Sequence, residues 1–201
     1  MRKVIFEDRD IVPSKVVCVG RNYVEHIKEL ENEMPEDIIL FIKPNSSITD
    51  KLIKPKEKCR YEGEISFIVE NSNIVGVGFG IDLTLVNQQE KAKKKGLPWE
   101  KAKAFDNSAV FSEFVKFKDL NSLKMKLFIN GKLKQEGDIS LMIFKPEDIL
   151  LKIKEFFTLE DGDIIMTGTP KGIGEFEVGD KFIGQIWEGD RLIVEAIWKV
   201  V

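Results

Sequence analysis

The 201 residues carry 31 Lys plus Arg against 34 Asp plus Glu, a formal net charge of -3, and 43% of them are hydrophobic. That is apolar material for one compact domain, expected over residues 1–201 with 1–14 as a short lead-in, and the near-cancelled charge leaves no global field to draw in nucleic acid. No stretch approaches the roughly 18 apolar residues of a membrane span, and the opening Met1-Arg2-Lys3-Val4-Ile5-Phe6-Glu7-Asp8 meets charge too soon for a signal peptide, so a cytoplasmic protein is expected.

Val16 to Val19 reads as the first strand. Tyr23, Ile27, Leu30 and Met34 then fall at the spacing of one helix face and predict a short helix. Ile38 to Ile42, Ile65 to Val69 and Ile74 to Ile81 are further strand runs. The glycines of Gly76-Val-Gly78-Phe-Gly80 lack the third spacing and following helix of a dinucleotide fingerprint, which leaves a flexible strand as the reading. A helix over about Thr84 to Lys95 stops at Gly96 with Pro98 beyond, and its run Lys91 to Lys95 reads as a solvated face. Met125 to Ile129 leads into Asn130-Gly131, the pair that supplies two positive φ angles to a tight hairpin. A helix begins near Pro146 and carries Ile149, Leu150, Ile153 and Phe157, strands follow at Ile164 to Thr167 and Leu192 to Trp198, and a second hairpin is expected at Glu188-Gly189-Asp190. Strands outnumber helices without regular alternation, so the fold class is α+β, predominantly β, with a few short helices. Cys18 and Cys59 lie far apart and fit no metal or redox spacing, which reads as buried reduced thiols.

Three acids draw attention. Residues two apart on a strand share a face, so Glu62 and Glu64 of Tyr61-Glu62-Gly63-Glu64 project together, and two carboxylates so close need a cation or strong donors between them. A solvated strand face is the plainer alternative. Asp82, at the end of an apolar run, is either a third ligand or the N-cap of the helix that follows. Three carboxylates would suit magnesium or manganese. His26, the only histidine, has Glu29 at i+3, so the two are neighbours on a helix, either as a proton-transfer pair or as an ordinary surface pair. Thr167-Gly-Thr169-Pro-Lys171-Gly-Ile-Gly174 lacks the order that cradles nucleotide phosphates and reads as a Gly-Pro loop, at a site or at an ordinary turn.

Taken together, Val19 to Glu29, Leu40 to Pro44, Tyr61 to Glu64, Gly80 to Thr84, Lys94 to Asp106, Gln135 to Gly137 and Gly162 to Gly174 occur in one order that resembles the fumarylacetoacetate hydrolase family, in its small acylpyruvate hydrolase and oxaloacetate decarboxylase branch. The resemblance implies a mixed β-sandwich roll, a homodimer, and one Mg2+ or Mn2+ per chain on Glu62, Glu64 and Asp82. It implies His26 and Glu29 as the water-activating pair, Lys103 as a catalytic cation, and Lys43, Gln89 and Thr169 as substrate-binding residues. The implied reaction is carbon-carbon cleavage of an acylpyruvate to a carboxylate and pyruvate, with oxaloacetate decarboxylation beside it, through an enolate held by the ion. The alternatives are an isomerase or keto-enol tautomerase of a 2-oxo acid, which needs proton transfer but no attacking water, and a non-catalytic metal or ligand-binding protein. A nucleotide-binding protein has no phosphate motif in its favour. Close relatives usually show Arg-Asp where this chain has Val86-Asn87, and an anion contact is missing there. The region before Glu62 is also shorter than in some relatives and lacks their extra histidines.

Overall fold

The computed structural model describes residues 1–31 and 33–201. The elements run β1 (Val4–Phe6), β2 (Arg9–Ile11), β3 (Lys15–Gly20), α1 (Val24–Glu29), β4 (Ile39–Pro44), β5 (Ile48–Thr49), β6 (Cys59–Glu70), β7 (Asn73–Leu85), α2 (Val86–Lys95), α3 (Glu100–Lys103) and β8 (Ala109–Phe111). They continue with β9 (Leu123–Ile129), β10 (Lys132–Asp138), α4 (Pro146–Phe156), β11 (Ile164–Met166), β12 (Gly174–Glu175), β13 (Lys181–Glu188) and β14 (Arg191–Lys199). The mostly-β fold class read from the sequence holds. An eight-stranded mixed sheet has the path β4-β3-β11-β6-β7-β8-β5, with β12 on β6, and a four-stranded antiparallel sheet has the order β10-β9-β13-β14. Among the described residues no helix is long and apolar enough to cross a membrane.

The long antiparallel pair β6 and β7 is the spine, and its two faces divide the molecule. Odd-numbered Tyr61, Ile65, Phe67, Val77, Phe79, Ile81 and Leu83 belong to the main core shared with Leu127, Phe182 and Trp198 of the second sheet. The approach is close: a Cβ on Gly184 of β13 would lie 2.5 Å from the Phe79 ring, so the sheets meet through a missing side chain. Even-numbered residues take the opposite face, where the register sets Glu62 against Asp82 and Glu64 against Gly80. Period two alone therefore gathers the three acids on one side.

Several elements differ from their sequence reading. β6 reaches back to Cys59, because the charged stretch before Ile65 is buried rather than solvated. Asp82 lies inside β7, and the N-cap of α2 is Leu85, so the N-cap reading of Asp82 is excluded. α1 ends at Glu29, the left-handed Glu31 (φ 51) follows it, and Met34 is exposed beyond it. Gly76, Gly78 and Gly80 are not a flexible strand: added Cβ atoms would meet Phe6 at 2.6 Å, Phe114 at 3.0 Å and the Ser66 hydroxyl at 2.3 Å, so these glycines admit close packing. The Asn130-Gly131 hairpin joins β9 to β10 with φ of 50 and 76, as read. Cys18 and Cys59 are buried and free, and burial raises both thiols, Cys59 to about 12.

Asp163 clasps the start of β11 to the start of β3. Its Oδ1 accepts from Ser14 N (2.9 Å), Ser14 Oγ (2.7 Å) and Lys15 N (3.0 Å), and its Oδ2 from Glu160 N (2.9 Å) and Lys15 Nζ. Burial would raise this carboxyl, but the donors outweigh it and hold the acid below its ordinary 3.8. Asp163→Ala is expected to lower the unfolding free energy by about 2–4 kcal/mol in denaturant titration. Because the folded value is depressed, the wild-type advantage is fully present above an unfolded value of about 4 and is lost as pH falls through the folded one.

Candidate metal centre and active site

Glu62, Glu64 and Asp82 each offer a carboxylate oxygen, these atoms lie within 4.8 Å of one another, and the residues are 6%, 2% and 1% exposed. That burial disposes of the solvated-face alternative. Burial and the neighbouring Asp82 push Glu64 well above the ordinary carboxylate range, opposed by the Gly168 N–H that its Oε2 accepts at 2.8 Å. Burial would also raise Glu62, yet Lys103 and Arg60 hold it far below that range. Two acids on one strand face thus differ by environment alone. Asp82 Oδ1 is buried and makes no hydrogen bond among the described residues; Lys43 Nζ lies 2.9 Å away as an ion pair. A buried set of three carboxylates, with an Asp82 oxygen outside any hydrogen bond among the described residues, matches the all-oxygen donor set of a hard divalent cation, Mg2+ or Mn2+.

Lysines surround the acids unequally. Lys103 Nζ donates to Glu62 Oε2 (2.8 Å), Asp82 Oδ2 (2.8 Å) and Thr84 Oγ1 (2.6 Å), and its burial, which would lower it, is outweighed by those two carboxylates. It stays an ammonium ion. Lys43 does not reach the pocket: it is fully buried behind Asp82 and donates to the Lys103 carbonyl, Ser108 O (3.2 Å) and Ser108 Oγ (3.0 Å), so the place expected on the substrate wall is a support for Asp82 and α3.

A pocket opens over the acids, with His26, Gln89, Lys103 and Thr169 in its lining. His26 Nδ1 lies 3.2 Å from Glu29 Oε2, while Glu29 Oε1 accepts Gly172 N at 3.0 Å, so one carboxylate ties α1 to the Gly-Pro loop. Burial lowers His26 below the ordinary 6.5, against the raising influence of Glu62 and Glu29, and keeps the ring neutral at pH 7. Thr169 lines the wall, but its hydroxyl donates to Gly63 O (2.8 Å) and accepts Gln135 Nε2 (2.8 Å). Gln89 Oε1 accepts from Arg60 Nη2 at 2.6 Å.

Sequence reasoning missed Arg60, Thr84 and Gln135 as parts of the site. Arg60 stands two residues before Glu62, and Thr84 two after Asp82, so the period that paired the acids also marked both. Gln135 accepts Gly63 N at 2.8 Å and donates to Thr169 and Pro170, fastening the acid strand to the loop from the second sheet. No local signal announces a contact across that distance in sequence.

A mixed sheet with a buried three-carboxylate centre beneath a histidine-bearing helix defines a mostly-β protein whose acids could hold a metal ion. The model of the fumarylacetoacetate (FAA) hydrolase C-terminal family matches residues 15–197, and the chain belongs to that family. It is 38% identical over 192 residues to the oxaloacetate tautomerase YcgM of Escherichia coli, covering 86% of this chain and 88% of that protein. A crystal structure of a candidate fumarylacetoacetate isomerase/hydrolase from Oleispira antarctica superposes with a TM-score of 0.95 at 34% identity, over 100% of both chains. The fumarylpyruvate hydrolase of Pseudomonas aeruginosa, solved with Mn2+ and pyruvate, superposes with a TM-score of 0.89 at 26% identity, over 100% of this chain and 95% of that one.

Proposed function

We propose that this chain is a divalent-metal-dependent keto-enol tautomerase of a small 2-oxo acid, with oxaloacetate as its substrate. The observation that carries the reading is a neutral imidazole held by Glu29 on the wall of the pocket above the acid centre. Keto-enol tautomerisation moves one proton between C3 and the 2-oxo oxygen and calls for a base poised near neutrality rather than a nucleophile. Glu29 fixes the Nδ1–H tautomer of His26, which leaves Nε2 to take the proton from C3 and pass it to the 2-oxo oxygen, or to carry the enol O–H proton back to C3 in the reverse direction. A divalent ion on Glu62, Glu64 and Asp82, when bound, supplies Lewis-acid stabilisation of negative charge on the 2-oxo oxygen. Lys103 adds a fixed positive charge beside it, Thr169 and Gln89 shape the wall, and Lys43 keeps Asp82 in place. The 38% identity to an oxaloacetate tautomerase supports the choice of substrate.

Acylpyruvate hydrolysis, the reaction expected from the sequence, is the second reading, favoured by the likeness to a fumarylpyruvate hydrolase. There the same His26 would activate water against the distal carbonyl. The two separate in one assay: the ultraviolet absorbance of enol-oxaloacetate is followed with Mn2+, with Mg2+ and with a chelator, while pyruvate is measured in parallel. The tautomerase reading expects metal-dependent loss of enol absorbance well ahead of pyruvate release. Pyruvate appearing in step with enol loss makes the protein a decarboxylase, cleavage of acetylpyruvate without faster enol loss makes it a hydrolase, and binding of oxalate with no turnover makes it a binding protein.

A further inference from the structure

We infer that Arg60, braced by Gln89 and accompanied by Arg21, is the specificity residue of this pocket and receives the second, distal carboxylate of a four-carbon 2-oxo dicarboxylate. The inference rests on the 2-oxo acid reading above and names the part of the substrate that reading leaves open. Arg60 lines the pocket beside Glu62, with its side chain only 13% exposed. Its guanidinium is held by two bonds, Nε to Glu62 Oε1 (3.0 Å) and Nη2 to Gln89 Oε1 (2.6 Å). A planar fork fixed at two points presents its remaining donors in one direction, and Nη1 makes no hydrogen bond to the described residues.

Around it the charge is one-sided. Arg21 lines the same pocket, its Nε is buried without a hydrogen-bond partner among the described residues, and its Nη1 donates to the Glu33 carbonyl at 3.4 Å. Lys93, one helical turn on from Gln89, stands at the rim, and burial followed by the charges of Arg21 and Arg60 lowers its ammonium. The pocket's three carboxylates are the metal set, and Glu62 is already shared between Arg60 and Lys103. The guanidinium groups of Arg60 and Arg21 favour an anion joining them, and a divalent ion on the acids makes the pocket more positive still. A 2-oxo monocarboxylate brings one negative group, which the ion takes. A dicarboxylate brings a second, and the guanidinium beside Glu62 is placed to take it bidentately. Val86, at the start of α2, offers no charge, and the cation beside Glu62 on this wall is Arg60 of β6.

The test compares the Mn2+-loaded wild type with Arg60→Met and Arg60→Lys on oxaloacetate and on acetylpyruvate, and measures by calorimetry the binding of oxalate, which fills the metal end alone, and of malate, which carries a distal carboxylate. Arg60→Met is expected to lower the ratio of kcat/KM for oxaloacetate to that for acetylpyruvate about tenfold or more, chiefly through KM, and to weaken malate at least tenfold more than oxalate. Arg60→Lys should restore part of both. Equal losses for both substrates and both inhibitors, together with weaker Mn2+ binding, would mean that Arg60 acts only by holding Glu62, and would overturn the inference. Wild-type protein that turns over neither substrate defeats the enzymatic reading instead, and the malate-to-oxalate comparison still decides the role of Arg60.

Discussion

Glu64→Gln is expected to abolish metal-dependent turnover, with kcat/KM falling on the order of 10³-fold, because the ion's charge stabilisation amounts to several kcal/mol. The substitution is nearly isosteric and keeps a carbonyl for the Gly168 N–H, so it removes a charge and a ligand and leaves the packing in place. Mn2+ titration should show weakened binding, and added Mn2+ should raise the Tm of the wild type but not of the variant. The pH dependence has a definite sign. Glu64 is pushed above its ordinary 4.5, so in metal-free protein its stability contribution is complete at and below the unfolded value and is lost as pH rises through the folded one. Metal must displace the proton that burial favours, so wild-type affinity should fall as pH is lowered and the metal-free variant should lack that alkaline penalty. A Glu64→Gln protein that binds Mn2+ as tightly as wild type would remove this residue from the ligand set.

The acid centre was legible because it rests on a local rule. Glu62 and Glu64 share a face by period two, and Asp82 joins them once two long strands pair in register. What the rule could not give was burial: a Glu-Gly-Glu stretch has the same pattern on a wet face as on a dry one, and Lys103, Thr84 and Gly168, from other segments, join Arg60 in making the dry one tenable. Layer was equally hidden at Lys43. The strand read from the sequence ends at Ile42, one residue short of Lys43, and whether that lysine's amino group meets the pocket or the back of Asp82 depends on α3, a four-residue helix too short to show a period. Arg60 went unread for the opposite reason, since a charged residue just before an apolar run looks like loop, although it carries the same two-residue phase as the acids. The hairpin at Asn130-Gly131 and the Gly96 helix stop were fully readable because their chemistry is local.

His26→Gln is expected to lower kcat by about 10²–10⁴-fold while leaving Mn2+ affinity within a fewfold of wild type, since the residue moves a proton and holds no ion. The pH profile carries the stronger test. Burial holds His26 below 6.5, so wild-type kcat should stay level from pH 8 down to about 6.5 and decline only as the ring protonates at lower pH. Glu29 raises the ring through its charge and hydrogen bond, so Glu29→Gln should displace that acid limb further down in pH. The same change should reduce kcat, because the tautomer is no longer fixed and the tie to Gly172 is weakened. A purely structural pair would change stability and leave the position of the limb where it was. Comparing substrates then separates the two chemistries: if His26 activates water, its loss should harm acetylpyruvate cleavage more than enol-oxaloacetate conversion, whereas a base acting at C3 should be missed most by the tautomerisation.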